Sequence, residues 1–454
     1  MLALTSSRVV LDDQLRDATV VIEGERIREV RAGQVVRPGE THVTVDPFVL
    51  APGVVDSHVH INEPGRTDWE GFATATQAAA SGGVTTVVDM PLNCIPVTTT
   101  AAALAIKCEA AAPRLWIDVG FWGGVVPGNA DDLAALAQAG VLGCKAFMVH
   151  SGIDEFPASD EAVLRAAMLR LRDAGVPLLA HAELDVAAAP AQGDPRSHAS
   201  WLSSRPCAME DAAIALLIRL CRETGCAVHV VHLSSADSLP QIAAAKREGL
   251  PLTVETCAHY LCLRAEDIAD GETHFKCAPP IRDDDNRARL WQGLRDGTID
   301  FVVTDHSPCT PALKQLERGD FQVAWGGIAS LQLGLQAVWT EARARGVGIP
   351  ELFAWMSSRP AAFAGLAARK GRIAVGHDAD LIVWDPDTAA TIHAAQLRFR
   401  HKLSPYVGRT LYGAVRQTYL RGTIVYDGTA VHPAARGVAL LHRDRAPRTL
   451  GRPS

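Results

Sequence analysis

The amino-acid sequence predicts an α/β protein: a (β/α)8 TIM barrel with a small flanking β domain that both chain ends form. Between residues 49 and 370, apolar runs of strand length alternate with segments of helical hydrophobic periodicity, which is the pattern of parallel βαβ units. Both chain ends contain short strand-like runs separated by turn signals. The chain has 454 residues. A barrel takes about 250 residues, so a second, smaller domain fits beside it.

The barrel prediction rests on eight candidate strands, each followed by a candidate helix. The strands are predicted at residues 53–60, 84–90, 115–122, 143–149, 177–183, 227–233, 252–260 and 300–305. The helices are predicted at residues 70–80, 101–112, 131–139, 160–174, 210–224, 235–248, 284–295 and 326–344. A doubly wound sheet is the alternative fold, but it offers no natural place for eight parallel units of this regularity.

The two chain ends are predicted to pair into one small domain. Its strands are expected at residues 7–11, 18–22, 26–30, 379–385, 414–421 and 423–427. We therefore assign residues 1–48 and 371–440 to the two parts of this domain, and residues 49–370 to the barrel. Residues 441–454 are rich in arginine and proline and are predicted to form a flexible tail.

Charge and cysteine content exclude several classes of protein. The formal net charge of −7 provides no basic surface for nucleic acid or an anionic membrane, so a small-molecule substrate is expected. The ten cysteines include no Cys-x-x-Cys pair, so neither a zinc knuckle nor a disulfide framework is indicated. No apolar run approaches the ~20 residues of a membrane span, and no signal-peptide pattern opens the chain. A reducing cytoplasm is the expected location.

Ionisable residues stand at the carboxyl ends of the predicted strands. His58 and His60 end the first strand, and their spacing directs both side chains to one face. Further candidates on the fourth, fifth, sixth and eighth strands are Lys145, His181, His232 and Asp305. Each alone could have a purely structural partner, but a barrel brings all six to one mouth. We therefore predict a metal site with donors that suit zinc, while manganese, iron or cobalt remain alternatives.

Two other histidines are given different roles. His229 lies three residues before His232 on the same strand, so the two side chains face opposite sides, and His229 is assigned to the core. His259 ends the seventh predicted strand. It is predicted to support the metal ligands rather than to bind metal itself, with direct ligation as the alternative.

Lys145 is an unusual member of a metal site, because an ammonium group repels cations. Carboxylation by carbon dioxide would convert its amine into an anionic carbamate, N6-carboxylysine, whose two oxygens can bridge two divalent ions. A binuclear centre acidifies a bridging water and polarises a carbonyl, so amide hydrolysis becomes feasible near neutral pH. Asp305 is then predicted to take the proton of the bridging hydroxide and to pass it to the departing nitrogen.

With these residues the sequence resembles the amidohydrolase superfamily, and more closely its cyclic amide hydrolases. These include the dihydroorotases, the dihydropyrimidinases or hydantoinases, and the allantoinases. The resemblance implies the same ligand roles for the His-x-His pair, the carboxylated lysine, the two single histidines and the aspartate. It extends from about Pro52 to Thr423.

Longer motifs are similar to those of the allantoinase group. They include His60-Ile-Asn-Glu-Pro-Gly-Arg-Thr-Asp-Trp-Glu-Gly, Asp89-Met-Pro-Leu-Asn, Phe275-Lys-Cys-Ala-Pro-Pro-Ile-Arg and Thr304-Asp-His-Ser-Pro-Cys-Thr-Pro. Asn62 stands where dihydroorotases have a carboxylate-binding arginine, and His150 stands where hydantoinases have a ring-contacting tyrosine. Ala258 replaces a proline that is common in the group, without consequence for the catalytic residues.

The resemblance implies hydrolysis of the hydantoin ring of allantoin to allantoate, in purine catabolism, by a homotetramer. Contacts to the substrate are expected from Asn93, His150, Ser151, Cys277 and Pro279, although Asn93 could simply be a turn residue. One alternative is a dihydropyrimidinase or hydantoinase of broader specificity. The other is a non-catalytic scaffold related to the dihydropyrimidinases, whose members lack the metal ligands that this chain retains.

Overall fold

A computed structural model describes residues 1–187 and 190–442 of the chain. Its strands are β1 (Leu2–Leu11), β2 (Gln14–Glu23), β3 (Arg26–Ala32), β4 (Thr41–Thr44), β5 (Val49–Pro52), β6 (Val54–Val59), β7 (Val84–Asp89), β8 (Asp118–Phe121), β9 (Gly123–Gly124), β10 (Cys144–Phe147), β11 (Leu178–His181), β12 (Val228–Val230), β13 (Leu252–Cys257), β14 (Phe301–Val303), β15 (Leu381–Thr391), β16 (Thr410–Leu420), β17 (Thr423–Tyr426) and β18 (Ala439–Leu440). Its α-helices are α1 (Phe72–Ser81), α2 (Ala101–Ala111), α3 (Leu133–Ala139), α4 (Glu161–Asp173), α5 (His198–Ser204), α6 (Cys207–Thr224), α7 (Leu239–Arg247), α8 (Ala258–Cys262), α9 (Asp284–Arg295), α10 (Gly334–Ala344), α11 (Ile349–Phe353) and α12 (Arg359–Phe363). Within these described segments, no helix combines the length and apolar character needed to cross a membrane.

The barrel consists of β6 to β14, in which β8 and β9 are two parts of one strand interrupted at Trp122. Neighbouring barrel strands pair in parallel from β6 to β8 and from β9 to β14. The barrel closes where the backbone N–H of His60, just after β6, donates to the carbonyl of His306 at 2.7 Å. Closure places the carboxyl ends of all barrel strands around one mouth.

The small domain is one sheet to which both chain ends contribute. Its strand order is β17-β16-β15-β5-β1-β2-β3, with β4 paired to β1. The central β5 pairs antiparallel with β15 and parallel with β1, so it joins strands that are far apart in sequence. Leu4, Val20, Leu381 and Tyr419 lie in one buried cluster on this sheet.

The fold class predicted from the sequence is confirmed, but several element boundaries differ, and two of these differences lie close to the barrel mouth. The predicted strand 252–260 ends at Cys257, and His259 lies in the short helix α8. The predicted helix 326–344 begins only at Gly334. Residues 326–330 are non-helical, with Ile328 bridged to His306, and residues 331–333 form a turn. Gly327 has a φ of 131° and donates its N–H to the carbonyl of Lys276 at 2.8 Å, which is incompatible with a helix here.

The C-terminal segment returns to the barrel after the small domain. β18 pairs in parallel with β8, with Ala439 opposite Val119. The N–H of His442 donates to the carbonyl of Gly140 at 2.8 Å. Residues 441 and 442 of the predicted tail therefore follow the barrel wall, and residues 443–454 lie outside the described residues.

A cluster of buried charges joins the barrel to the small domain. The Lys370 ammonium lies 2.6 Å from carboxylate oxygens of Asp118 on β8 and of Asp380, and 2.9 Å from Asp378. Arg421 also pairs with Asp118, and its N–H donates to Asp380 at 2.8 Å. Burial alone would lower the pKa of Lys370, but the three carboxylates raise it above its ordinary value. Lys370 therefore remains charged and neutralises the buried acidic groups.

Lys370→Met is expected to lower the free energy of unfolding by about 3–5 kcal/mol, because it leaves buried carboxylates without their counter-charge. The shift of the urea-denaturation midpoint measures this loss. Arg372→Met is the matched control, since Arg372 meets Asp12 at 3.3 Å with both side chains exposed. The control should change stability by less than about 1 kcal/mol. Equal effects of the two substitutions would contradict the role given to Lys370.

Candidate metal centre

Six polar side chains from five barrel strands meet at the mouth. His58 lies on β6 and His60 just after it, Lys145 lies on β10, and His181 ends β11. His232 and Asp305 follow β12 and β14. All six side chains are buried: Asp305 is 8% exposed and Lys145 only 1%. A charged group buried to this extent needs a partner of opposite charge or a metal ion.

His58, His60 and Asp305 direct their donor atoms at one point. Oδ1 of Asp305 lies 3.2 Å from Nε2 of His58 and 3.4 Å from Nε2 of His60. Nζ of Lys145 lies 3.1 Å from the same nitrogen of His58. Donors from three different strands therefore converge, which is the arrangement that a divalent cation requires.

His181 and His232 form a second pair of facing donors. Nδ1 of His181 and Nε2 of His232 lie 3.0 Å apart. The other ring nitrogen of His181 lies 2.6 Å from Glu183, which Arg205 also contacts. Burial opposes ionisation of Glu183, but these two partners hold its pKa at about 2. The Glu183 carboxylate therefore accepts the Nε2 proton of His181, so the Nδ1 lone pair faces His232 and can bind a metal.

His232 and Asp305 lie two residues beyond the ends of their strands. Their φ angles are 41° and 44°, in the left-handed region that non-glycine residues rarely adopt. Such a conformation costs roughly 1–3 kcal/mol and persists only where the surrounding structure holds it. Around Asp305, the Thr304 hydroxyl donates to Asp56 at 2.5 Å, and the His306 N–H donates to the Thr304 hydroxyl at 3.2 Å. This turn directs the Asp305 carboxylate into the mouth.

Glu255 is a functional residue that the sequence reasoning missed. It is buried on β13, with Oε1 2.5 Å from Nδ1 of His58 and Oε2 3.1 Å from Nε2 of His229. Its contact orients the His58 ring and leaves Nε2 directed at Asp305. Burial raises the pKa of Glu255 well above its ordinary value, although the Lys145 ammonium opposes this. A glutamate in the middle of a buried barrel strand is unusual, and this feature of the sequence could have indicated its role.

Burial also changes the chemistry of Lys145. Its pKa falls to about 8 because the amine is removed from water, even though Asp305 and Glu255 favour the charged form. A larger fraction of the amine is therefore neutral near neutral pH than for an exposed lysine. The neutral amine is the form that reacts with carbon dioxide.

His229 lies outside the two donor groups, whereas His259 lies beside Asp305. His229 packs on the rings of Phe301 and Phe363, with centroid distances of 5.3 and 3.9 Å, and its Nδ1 lies 2.8 Å from the Thr253 hydroxyl. The His259 ring has a nitrogen within 4.8 Å of the Asp305 carboxylate. Burial lowers the pKa of His259 to about 4, so the ring is neutral beside Asp305.

The mouth opens into a cavity of about 240 Å³. Asn93, His150, Ser151 and Cys277 line this cavity, whereas Pro279 does not. Pro279 lies behind the wall, where its carbonyl accepts the Tyr260 hydroxyl at 2.7 Å, and the neighbouring Ala278 faces the cavity instead.

The polar residues that line the cavity differ in whether their polar atoms already have hydrogen-bond partners within the protein. Asn93 has a φ of 65°, and its buried Oδ1 has no hydrogen-bond partner among the described residues. Asn93 is therefore both a turn residue and a candidate contact to the substrate. The Ser151 hydroxyl already donates to the carbonyl of Phe156 at 2.6 Å. His150 is exposed at the rim, and its Nδ1 accepts the N–H of Gly152 at 3.1 Å.

Position 62 contributes no cation to the cavity. Asn62 is buried with a φ of 66°, and its amide donates to the carbonyl of Pro308 at 3.2 Å. It is not among the residues that line the cavity. The lining does include Trp201, Arg205 and Lys276, which the sequence reasoning did not single out. These three come from the segments after the fifth and seventh barrel strands, with Trp201 in the short helix α5 and Arg205 directly after it, and sequence spacing gives no information about contacts there.

The residues at the mouth fit a divalent metal. Donor atoms of His58, His60 and Asp305 all lie within 4.8 Å of one another, and all three residues are buried. Imidazole and carboxylate donors beside an open cavity are typical of catalytic rather than structural sites. The fold and the site together are those of a metal-dependent barrel hydrolase.

The chain belongs to the amidohydrolase family, whose sequence model matches residues 49–425. Enzymes of this family depend on a binuclear metal centre. The matched region begins at β5, spans the whole barrel and reaches β17 of the small domain.

Several proteins described as allantoinases are similar to nearly the whole chain. One from Streptomyces avermitilis is 49% identical over 447 residues, which cover 98% of this chain and 99% of that protein. One from Saccharomyces cerevisiae is 45% identical, with the same two coverages. Among solved structures, an L-hydantoinase (dihydropyrimidinase) from Arthrobacter aurescens superposes with a TM-score of 0.92 at 29% identity, covering 97% of this chain and 99% of that one. The similarity therefore includes the small domain.

Proposed function

We propose that this protein hydrolyses a ring amide of allantoin, opening the hydantoin ring to give allantoate, as a step in purine breakdown. The observation that carries the proposal is the 49% identity, over 98% of the chain, with a protein described as an allantoinase. The enzyme is thus a cyclic amide hydrolase that acts on a carbon–nitrogen bond.

Asp305 is the proposed proton carrier. Burial is the largest influence and would raise the pKa of its carboxyl group, but the hydrogen bond from His60 and the charges of His60, Lys145 and His259 together lower it. The carboxylate form therefore lines the cavity and can accept a proton. Two bound divalent cations would acidify a water molecule and polarise the scissile carbonyl. Asp305 takes a proton from the attacking water and gives it to the ring nitrogen, so the carbon–nitrogen bond breaks with a neutral leaving group.

Lys145 is proposed to be carboxylated. Its neutral amine attacks carbon dioxide and loses a proton, which gives an anionic carbamate in place of an ammonium. The pKa of about 8, which burial produces, favours this reaction. Together with His58, His60, His181, His232 and Asp305, the carbamate would complete a set of donors for two metal ions. Zinc is the proposed metal, and cobalt, manganese and iron also accept imidazole and carboxylate ligands.

Substrate contacts are proposed for Asn93, His150, Ser151 and the backbone from Cys277 to Pro279. The unpartnered Oδ1 of Asn93 supports a hydrogen bond to an N–H group of the substrate. His150 lies at the rim of the cavity and is suited to contact the part of the substrate that extends outward. Pro279 itself does not line the cavity, so in this part of the backbone the substrate would contact the neighbouring Ala278, which does.

A hydantoinase of broader specificity is the second candidate, which the TM-score of 0.92 to an L-hydantoinase favours. One residue argues against it, because His150 stands where that group has a ring-contacting tyrosine. Asn62 stands where dihydroorotases have a carboxylate-binding arginine, which argues against that other activity. The non-catalytic scaffold is disfavoured by the complete set of six candidate ligands at the mouth.

The proposed function predicts the order of substrates in a direct assay. Purified protein is expected to hydrolyse allantoin with a kcat/KM at least about tenfold above those for hydantoin, dihydrouracil and dihydroorotate, a preference of about 1.4 kcal/mol. Metal content is measured on the same preparation. A clear preference for hydantoin would select the second candidate, and a preparation that binds no divalent metal would favour the scaffold.

The resemblance to the cyclic amide hydrolases also supports a homotetramer. A reducing cytoplasm is the proposed location, because the ten cysteines include no Cys-x-x-Cys pair and indicate no disulfide framework. The net charge of −7 agrees with a partner that is a small molecule rather than nucleic acid.

A further inference from the structure

One part of the cavity wall carries a buried lysine that the proposed mechanism does not use. Lys276 lines the cavity and is 5% exposed. Its ammonium donates to the carbonyls of Ala324 at 2.6 Å and Gln322 at 3.2 Å, and lies 4.2 Å from the centre of the Trp201 ring. The Trp201 indole N–H donates to the carbonyl of Cys277 at 3.0 Å. These contacts hold the ammonium at a fixed place on the wall.

Lys276 is a buried cation with no carboxylate partner among the described residues, a feature that it shares with Lys314, but only Lys276 lines the cavity. Among the described residues it forms no ion pair, and its hydrogen bonds go to backbone carbonyls. In contrast, Lys107 meets Asp89 at 2.6 Å, and Arg205 on the same wall is paired with Glu183. A buried charge without a counter-ion is costly, and a ligand oxygen is a group that can compensate for it.

The protonation behaviour of Lys276 agrees with an uncompensated charge. Burial, followed by the charges of Lys314 and Arg205, lowers its pKa to about 7. An oxygen that accepts a hydrogen bond from this group would favour the charged form and would itself be bound more tightly. An ammonium has three donors, and two of those of Lys276 are directed at carbonyls. One donor remains for a ligand.

The position of Lys276 indicates which part of a substrate it would meet. The six candidate ligands lie on the barrel strands or within two residues of their ends, whereas Lys276 and Trp201 belong to the long βα loops that follow β13 and β11, with Trp201 in the short helix α5 of its loop. In a barrel these loops lie above the strand ends. A ring whose amide reacts at the strand ends would therefore extend its substituent toward the loops.

We propose that Lys276 binds the carbonyl oxygen of the ureido substituent of the substrate and thereby selects allantoin over hydantoins that lack this group. The proposal rests on the proposed function, because the ureido group is what distinguishes allantoin from hydantoin. The neutral urea oxygen is a good acceptor for a charged donor, and a charge-assisted hydrogen bond in a buried site is stronger than a neutral one. Lys276 is thus a specificity-determining residue that takes no part in proton transfer.

Lys276→Met tests this assignment, because methionine keeps most of the length and removes every donor. The substitution is expected to lower kcat/KM for allantoin by about 10- to 100-fold, the effect of losing a hydrogen bond to a charged group. Hydantoin has the ring without the ureido group. Its inhibition constant, measured as a competitive inhibitor of allantoin hydrolysis at the variant and the wild type, should therefore stay within about threefold. Lys276→Gln retains a neutral donor, so its kcat/KM for allantoin should lie between those of the wild type and Lys276→Met.

Two results would overturn the proposal. An allantoin kcat/KM within about threefold of the wild type would show that Lys276 makes no useful contact. A hydantoin inhibition constant that weakens as much as allantoin turnover would show that Lys276 binds the ring instead. If hydantoin fails to inhibit the wild type at all, while allantoin turnover is lost in the variant, the ureido group supplies the binding, as proposed. Absence of wild-type allantoin turnover would refute the proposed function itself, and the same experiment records this separately.

Lys314→Met is the matched control for damage to the loops. Lys314 is also buried and donates to the carbonyls of Lys276 at 3.4 Å and Trp325 at 3.0 Å, but it does not line the cavity. Its replacement should lower the thermal midpoint and change allantoin turnover and hydantoin inhibition to a similar extent. If Lys314→Met discriminated between the two compounds as strongly as Lys276→Met, loop distortion would explain the result and the proposal would fail.

Discussion

Lys145→Ala is expected to reduce allantoin hydrolysis by at least about 10³-fold, because it removes the proposed carbamate from between the two donor groups. Lys145 is 1% exposed and its Nζ lies 3.1 Å from His58, so no other side chain can take its place without rearrangement. Bound metal should fall together with activity. Turnover and metal content per chain, measured on the same sample, check both expectations.

Short carboxylic acids are expected to restore part of the lost activity. Acetate or propionate can enter the space that the lysine side chain leaves and supply two oxygens in place of the carbamate. Activity should rise with acid concentration and saturate, which indicates binding at one site. Wild-type activity should not respond in this way.

Lys107→Ala is the matched control for chemical rescue. Lys107 is as deeply buried as Lys145, but its ammonium pairs with Asp89 at 2.6 Å and donates to the carbonyl of Met90 at 2.9 Å. It acts as a cation, so an added carboxylate has no role to replace and should not improve this variant. Full activity of Lys145→Ala without added acid, or equal rescue of both variants, would contradict the carbamate.

Asp305→Asn is expected to lower kcat by about 10²–10⁴-fold, the usual contribution of a general acid–base group. Asparagine has the same shape and can still occupy the position 3.2 Å from His58, but it cannot take the proton from water. KM should change little, because the proton moves in the chemical step. Steady-state kinetics with a parallel metal analysis separates loss of proton transfer from loss of metal.

Asp300→Asn provides the control on the same strand. Asp300 precedes β14 at the opposite end of the barrel, where it pairs with Lys246 at 2.6 Å and accepts the N–H of Val254 at 2.7 Å. Its kcat should stay within about threefold of the wild type. A wild-type kcat for Asp305→Asn would remove Asp305 from the mechanism.

Much of the fold could be predicted because it follows from local periodicity. Alternating apolar strands and amphipathic helices define the barrel units wherever they occur, and eight such units favour closure. Boundaries were less predictable where tertiary contacts override local preference. At residues 326–333 the positive φ of Gly327 and its hydrogen bond to Lys276 replace the expected first turns of a helix. At 258–262 the chain turns into α8 instead of continuing the strand.

Some residues of the site could likewise be predicted from the sequence, and others could not. His58, His60, Lys145, His181, His232 and Asp305 could be selected from the chain, because they stand at or near strand ends and a barrel brings strand ends together. Their supporting residues could not be selected in this way. Glu255 contacts His58 across 197 positions of sequence, and no spacing rule relates residues so far apart.

The barrel and the metal donors could therefore be predicted from the sequence alone. The barrel follows from short-range hydrophobic periodicity, and the donors follow from the geometry that all parallel barrels share. The orientation of those donors and the residues around the cavity could be determined only from the tertiary structure. The left-handed conformations of His232 and Asp305 arise from contacts between separate loops and strands, and so does the position of the Lys276 ammonium, which has no carboxylate partner in the described part of the chain. Such contacts exist only once the chain has closed around its core.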